Sequence, residues 1–144
     1  MKKILIKITF ILLIVSVSFF IKAVASPDKF EEHSIDAQLE KCIEKDYSTS
    51  GMNKCVYAAT DAWFEQISIY SDLIKKELSK EQFSVFIESQ KAWEHYYELE
   101  KKLAVETVYN KEGTIYTNIA AGMLQDLAKQ RALYLKSYLY ELKK

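Results

Sequence analysis

The sequence predicts an all-α protein: a small antiparallel bundle of three long helices plus a short N-terminal helix, held by one disulfide. Three observations point to this fold. Apolar residues recur every three or four positions over long stretches, and one proline with three glycines leaves few helix breakers. The two cysteines lie on either side of a short polar turn, so they can join consecutive helices.

The first 25 residues have the pattern of a secretory signal peptide. A lysine-rich start precedes the uncharged, mostly apolar residues 8–21, and the small residues 23–25 predict cleavage before Ser26. A retained anchor is the alternative, although the apolar stretch is shorter than the roughly 20 residues of a spanning helix. We therefore expect a periplasmic or secreted protein with no stable membrane anchor after cleavage, in an oxidising compartment.

Cleavage would leave a single domain with an acidic balance. The signal peptide contains four of the twenty basic residues and none of the twenty acidic ones, so residues 26–144 have a net charge of −4. This charge argues against nucleic acid or an anionic membrane as the partner. It is compatible with a cationic protein partner.

A polar lead-in, residues 26–34, precedes a short helix that is predicted over residues 35–45. In the turn that follows, one of the residues 48–50 can cap the second helix by accepting its free N–H groups. We predict this helix over residues 51–78. Its apolar positions fall on one face at helical spacing: Met52, Val56, Ala59, Trp63, Ile67, Tyr70 and Ile74.

Ser79 and Gln82 fit a capping box, which predicts a third helix over residues 80–108. This helix has two apolar stripes, so we expect it to pack between neighbours on two sides. A turn signal at residues 110–113 is followed by the last helix, which Thr114 opens. The two stripes are Phe83, Phe86, Trp93 and Tyr97 on one side, and Val85, Ala92, Tyr96, Leu99 and Leu103 on the other.

Five aromatic residues are expected in the core: Trp63, Tyr70, Phe86, Trp93 and Tyr97. They occupy the apolar faces of the second and third helices, where large rings would fill the space between helices. Three more tyrosines cluster near the C terminus, and both core packing and a protein interface remain open for them. They are Tyr134, Tyr138 and Tyr140.

Cys42 and Cys55 are predicted to form a structural disulfide. They are 13 positions apart with a turn between them, so the helices that carry them can fold side by side. A redox pair usually has two residues between its cysteines, and no other cysteine or nearby histidine would complete a zinc site. The disulfide would tie the short helix to the long one.

No residue pattern predicts catalysis, a metal site or a cofactor. His33 and His95 lack the repeated Glu-x-x-His spacing of a di-iron bundle, and the chain has no nucleophile elbow and no glycine-rich phosphate loop. Glu94 and Glu98 are one helical turn apart and could form a carboxylate dyad, which keeps a hydrolase as a third class of function. Such pairs on a long helix are far more often solvated.

Arg131 is the single arginine, and it falls between Leu127 and Leu135 on the apolar line of the last helix. Its guanidinium can pair bidentately with a carboxylate, and we expect Glu98 of the third helix to be that partner. The pair would be a structural tie between helices. The alternative is that Arg131 contacts a binding partner.

Taken in order, these residues resemble the lysozyme inhibitor LprI N-terminal-like family of small exported bacterial helical domains, from about Ile35 to Leu142. The resemblance is carried by Cys42, Ser50, Cys55, Ala62-Trp63, Tyr70, Leu78, Gln90-Lys91-Ala92-Trp93, Tyr97-Glu98, Gly113-Thr114 and Gln130-Arg131.

The resemblance implies a protein-binding module at the bacterial envelope, in its sharpest form an inhibitor that binds a cationic lysozyme. The alternative is a chaperone-like or structural interaction protein with another partner. Many family members have a second cysteine pair, which corresponds here to Lys101 and Met123. The resemblance therefore implies that one of two disulfides is retained.

Overall fold

The computed structural model describes residues 33–144, which form four α-helices. They are α1 (Ser34–Ile43), α2 (Thr49–Glu77), α3 (Lys80–Ala104) and α4 (Ile115–Leu142). A π-helical turn, Val105–Tyr109, continues α3. The predicted all-α class is confirmed, with no strand in this range. The predicted signal peptide and nearly all of the lead-in lie outside the described residues.

The starts of α2 and α3 are set by side-chain caps. Ser48 Oγ accepts a hydrogen bond from the Gly51 amide at 3.0 Å and caps α2. At the start of α3, Ser79 Oγ accepts from the Gln82 amide at 3.2 Å, and Gln82 Oε1 accepts from the Ser79 amide at 2.8 Å. The predicted capping box is therefore confirmed.

The most extensive helix contact joins α2 to α4, and small side chains make it close. Ala128 and Ala132 of α4 are completely buried, and Ala59 of α2 is nearly so. Because an alanine adds only a methyl group, the two backbones can approach closely. Larger side chains fill the space beside this contact, and Trp63, Ile74 and Leu135 are the largest fully buried ones.

Helix α3 packs on the bundle through larger rings. Phe64 of α2 lies edge-on to Tyr97 with ring centroids 5.1 Å apart, and its centroid is 6.0 Å from that of Trp93. Of the five residues expected in the core, Trp63, Phe86 and Tyr97 are buried. Tyr70 and Trp93 are partly buried and pack against that core.

The expectation that α3 packs on both sides is wrong. Its second apolar stripe is exposed to solvent, and Val85 keeps 67% of its accessible surface. The physical reason is that α2 and α4 both contact the face of α3 that carries Phe86 and Tyr97, which leaves the other stripe uncovered. The exposed side chains are Val85, Tyr96, Leu99 and Leu103.

The disulfide joins Cys42, in the last turn of α1, to Cys55 in the second turn of α2, with 5.7 Å between the Cα atoms. An ion pair holds α1 to α4, because Lys129 Nζ lies 2.9 Å from an Asp36 carboxylate oxygen. The short first helix is therefore fixed to both long helices of the central pair.

The ion pair predicts a small, measurable loss of stability. Asp36→Asn is expected to lower the free energy of unfolding by about 0.5–1 kcal/mol in urea titrations, because both side chains are about three-quarters shielded from water. Glu141→Gln is the control, since its pair with Lys144 is largely exposed and should contribute nothing measurable. Equal effects of the two changes would contradict a stabilising role for the Asp36–Lys129 pair.

Candidate protein-binding face

Helix α3 lies between two grooves of different character. The groove between α2 and α3, called the acidic groove, has a volume of about 360 Å³, and its charged lining residues are Asp72, Glu94 and one lysine, Lys75. The groove between α3 and α4, called the tyrosine groove, has a volume of about 220 Å³ and is lined in part by Tyr134 and Tyr138. The two grooves flank the same helix and share Phe86 in their linings. We define the candidate face as these two grooves together with the exposed side of α3.

The central parts of α2 and α3 are rich in acidic side chains. Residues 55–74 contain three acids and no lysine or arginine, and residues 81–100 contain five acids and one lysine. Burial first, and then the negative charges of Glu98 and Asp61, raise the pKa of Tyr97. Asp61 of α2 and Glu98 of α3 therefore both lie near Tyr97, and Glu98 is also paired with Lys101.

The tyrosine groove presents two aromatic rings to solvent. Tyr134 and Tyr138 stack with centroids 6.4 Å apart and an interplanar angle of 8°. Their exposed fractions are 59% and 37%, so they are surface residues rather than core residues. Exposed tyrosines suit protein interfaces, because one side chain offers apolar area together with a hydroxyl group.

Arg131 is bound to Gln90, and the predicted ion pair with Glu98 is wrong. Arg131 Nε donates to Gln90 Oε1 at 2.7 Å, and Nη2 donates to the same oxygen. Glu98 instead pairs with Lys101 Nζ at 3.2 Å. Gln90 and Glu98 are eight residues apart, which is about 12 Å along α3. Because Arg131 lies opposite Gln90, the carboxylate of Glu98 is out of its reach.

The Arg131 guanidinium lies between two rings. Its central carbon is 5.7 Å from the centroid of Trp93 and 5.5 Å from that of Tyr134. Burial lowers the pKa of Arg131, and the nearby Tyr134 and Glu94 partly offset that effect. The side chain is therefore a partly desolvated cation whose nearest acceptor is a neutral amide.

The position of Gln90 in the sequence could have identified it as the partner of Arg131. It lies four residues after Phe86, three before Trp93 and seven before Tyr97, which places a polar amide on the buried apolar stripe of α3. A buried amide needs a hydrogen-bond partner, so its position could have pointed to Arg131.

Neither histidine lines either groove. His33 Nδ1 accepts from the Ile35 amide at 3.3 Å, and its ring centroid is 4.4 Å from that of Trp63. His95 is exposed on α3. Across residues 33–144, no three His, Cys, Asp or Glu side chains come together as a set that could hold a metal ion. Over the same range, no helix has the length and apolar character needed to cross a membrane.

Comparison with known families then identifies the chain. The family model described as "Lysozyme inhibitor LprI" matches residues 42–135, more than half of the sequence. The chain belongs to the LprI family. Proteins of this family are exported, and it is an inhibitor family rather than a known enzyme family. A comparison with curated proteins finds no match.

The LprI fold is also found in a solved structure. The chain is similar to an uncharacterised protein from Burkholderia thailandensis, with a TM-score of 0.69 and 22% identity. The match covers 78% of this chain and 56% of that one, so this LprI chain spans just over half of the other protein's length. At this identity the likeness concerns the fold alone.

The structure also shows where the two positions of the second family disulfide lie. Lys101 is exposed on α3 and pairs with Glu98, and Met123 of α4 is half-exposed beside Ala104. In this LprI chain, the α3–α4 contact depends on packing and on the Arg131–Gln90 hydrogen bonds instead. Loss of a second disulfide remains a prediction from the family resemblance.

Proposed function

We propose that this LprI protein is an exported binding module that inhibits a lysozyme-type muramidase. The family match over residues 42–135 carries the proposal. The protein would act by binding and not by catalysis, with the face around α3 as its contact surface. That face combines exposed tyrosines, an exposed apolar stripe and the acidic groove.

The charge of the acidic groove supports a cationic partner. Asp72 and Glu94 outnumber Lys75 in its lining, and Asp61 and Glu98 lie near Tyr97 farther along the helices. A positively charged protein would be drawn to this surface, since complementary charge accelerates diffusional encounter. A polyanion would be repelled by the same residues.

Binding to immobilised lysozymes tests the proposal. The disulfide-intact protein would be passed over hen-type, goose-type and invertebrate-type lysozymes, with and without a chitooligosaccharide in the substrate cleft. We expect saturable binding to at least one class, and weakening by the oligosaccharide would show that the inhibitor covers the cleft. Absence of binding to all three classes would contradict the proposal.

Neutralising the acidic groove is expected to slow association. The double variant Asp72→Asn/Glu94→Gln should reduce the association rate constant roughly threefold or more at low ionic strength, because electrostatic steering is lost. The difference should shrink in high salt as screening removes steering from both proteins. A matched control, Glu112→Gln/Glu141→Gln, removes two exposed acids away from the groove. Equal slowing by both double variants would show that the net charge of the protein, and not the position of the acids in the groove, determines the association rate constant.

A chaperone-like or structural envelope protein is the second candidate. The exposed stripe on α3 favours it, because Val85, Leu99 and Leu103 could contact unfolded segments of another exported protein. Suppression of aggregation of a reduced client protein measures this activity. Strong suppression without lysozyme binding would favour this second function, whereas inhibition of lysozyme without suppression would favour the first.

A further inference from the structure

The hydrogen bonds of Arg131 leave one edge of its guanidinium open. Nε and Nη2 both donate to Gln90 Oε1, which occupies one side of the planar group. In the described part of the chain, no acceptor lies within hydrogen-bond range of Nη1, and no carboxylate lies within ion-pair range. The Nη1–Nη2 edge is one of the two edges of a guanidinium that can bind a carboxylate through two parallel hydrogen bonds, and Gln90 occupies the other.

The open edge belongs to a side chain that lines the tyrosine groove. Phe86 and Leu135 contribute apolar surface to this groove, and Ser89 contributes a hydroxyl group. A volume of about 220 Å³ suits one small group rather than an extended ligand. Packing between Trp93 and Tyr134 holds the guanidinium in place, so little side-chain entropy would be lost when an anion binds.

We propose that the tyrosine groove is a carboxylate-binding site, in which Arg131 binds an exposed aspartate or glutamate side chain of the muramidase. This inference rests on the proposed function and assigns one contact within it. The apolar groove wall would cover the methylene groups of the acidic side chain. The aromatic rings that flank Arg131 shield it partly from water, which strengthens the ion pair.

The charge around the groove selects the kind of anion. The acidic groove lies on the other side of α3, and Glu94 in its lining is close enough to Arg131 to raise the pKa of the guanidinium. A polyanion such as nucleic acid or a sulfated glycan would be repelled by Asp72 and Glu94. The partner must be attracted by the acidic groove and must also supply an anion to Arg131. A single carboxylate on an otherwise cationic surface does both, because its basic surroundings face the acidic groove while the carboxylate reaches Arg131. A cationic muramidase offers this combination.

Substitution of Arg131 tests the contact with the muramidase. Arg131→Lys keeps the charge but loses the bidentate geometry, and Arg131→Met removes the charge and keeps much of the apolar length. We expect each to weaken muramidase binding at least about tenfold. The control Lys136→Gln removes an exposed charge from the same helix and should change binding by less than about twofold. Thermal unfolding of each variant reports whether the fold is retained.

A second measurement works without the muramidase. Because Arg131 is the only arginine, its Nε–Hε group gives a single arginine side-chain NMR signal. Titration with N-acetyl-glutamate α-amide should shift this signal saturably, and the neutral N-acetyl-glutamine α-amide should not shift it. The same response to both probes, or to neither, would overturn the carboxylate site.

The outcomes separate this inference from the proposed function. If the wild-type protein binds a muramidase and both Arg131 variants bind equally well, the inference is wrong and the proposed function stands. If the wild-type protein binds no muramidase, the proposed function fails and the acidic side chain of a muramidase is excluded as the occupant. The arginine signal then decides whether the groove binds a carboxylate.

Discussion

Replacement of Trp63 by alanine is expected to lower the free energy of unfolding by about 3–5 kcal/mol. The side chain is completely buried, so its removal would leave the largest cavity that a single truncation could make in the described core. Its indole also fixes neighbouring groups. In the amide orientation that satisfies Gln125, the Gln125 oxygen accepts from Trp63 Nε1 at 3.1 Å. The same indole lies against the His33 ring, with the two planes tilted by 43°.

Two further variants divide this effect into its parts. Trp63→Phe keeps most of the ring volume but loses the hydrogen bond to Gln125, so it should cost about 1–3 kcal/mol. Trp93→Ala truncates the other tryptophan, which is only partly buried, and should cost less than Trp63→Ala. Urea unfolding followed by circular dichroism measures all three. A loss below about 1.5 kcal/mol for Trp63→Ala would contradict its place at the centre of the core.

Removal of the disulfide is expected to cost about 3 kcal/mol in the chain-entropy model. The bond joins residues 13 positions apart and reduces the number of conformations open to the unfolded chain around the first turn. The double variant Cys42→Ala/Cys55→Ala should therefore unfold at lower urea concentration, with α1 as the first helix to lose protection from hydrogen exchange.

Reduction of the wild-type protein provides the control. Dithiothreitol should lower its stability to nearly that of the double variant and should not affect the variant itself. Thiol alkylation of the native, unreduced protein should label neither cysteine, since the only two cysteines in the sequence are bonded to each other. Labelling of both cysteines in the native state would contradict the disulfide.

Helix periodicity predicted the number, order and approximate bounds of the helices because a 3.6-residue repeat and side-chain caps are local properties. The capping box at Ser79 and Gln82 is a clear case, since both hydrogen bonds lie within four residues. The disulfide was also predictable, because two cysteines beside a short turn leave one pairing.

Contacts between helices were harder to predict. In α4, the large side chains of Met123 and Tyr138 are exposed, although their apolar surface favours burial. The closest contact instead uses Ala128 and Ala132, whose small size allows the backbones to approach. Hydrophobicity alone does not distinguish an alanine that permits close packing from one on the surface.

The candidate face also has one feature that the sequence predicts and one that it does not. The acidic character of residues 55–74 and 81–100 is visible in the sequence, because no contact is needed to count charges. The partner of Arg131 depends on the axial register between α3 and α4, which selects Gln90 instead of Glu98. Register arises from the packing of whole helices, so residue type at one position could not determine it.

The most direct test of muramidase inhibition is an activity titration. Increasing amounts of the disulfide-intact protein would be added to a fixed concentration of each lysozyme class, and lysis of a bacterial cell-wall suspension would be measured. The predicted result for at least one class is a loss of activity that reaches its limit near one inhibitor per enzyme. Full activity of all three classes at a large molar excess of the protein would contradict the proposed function.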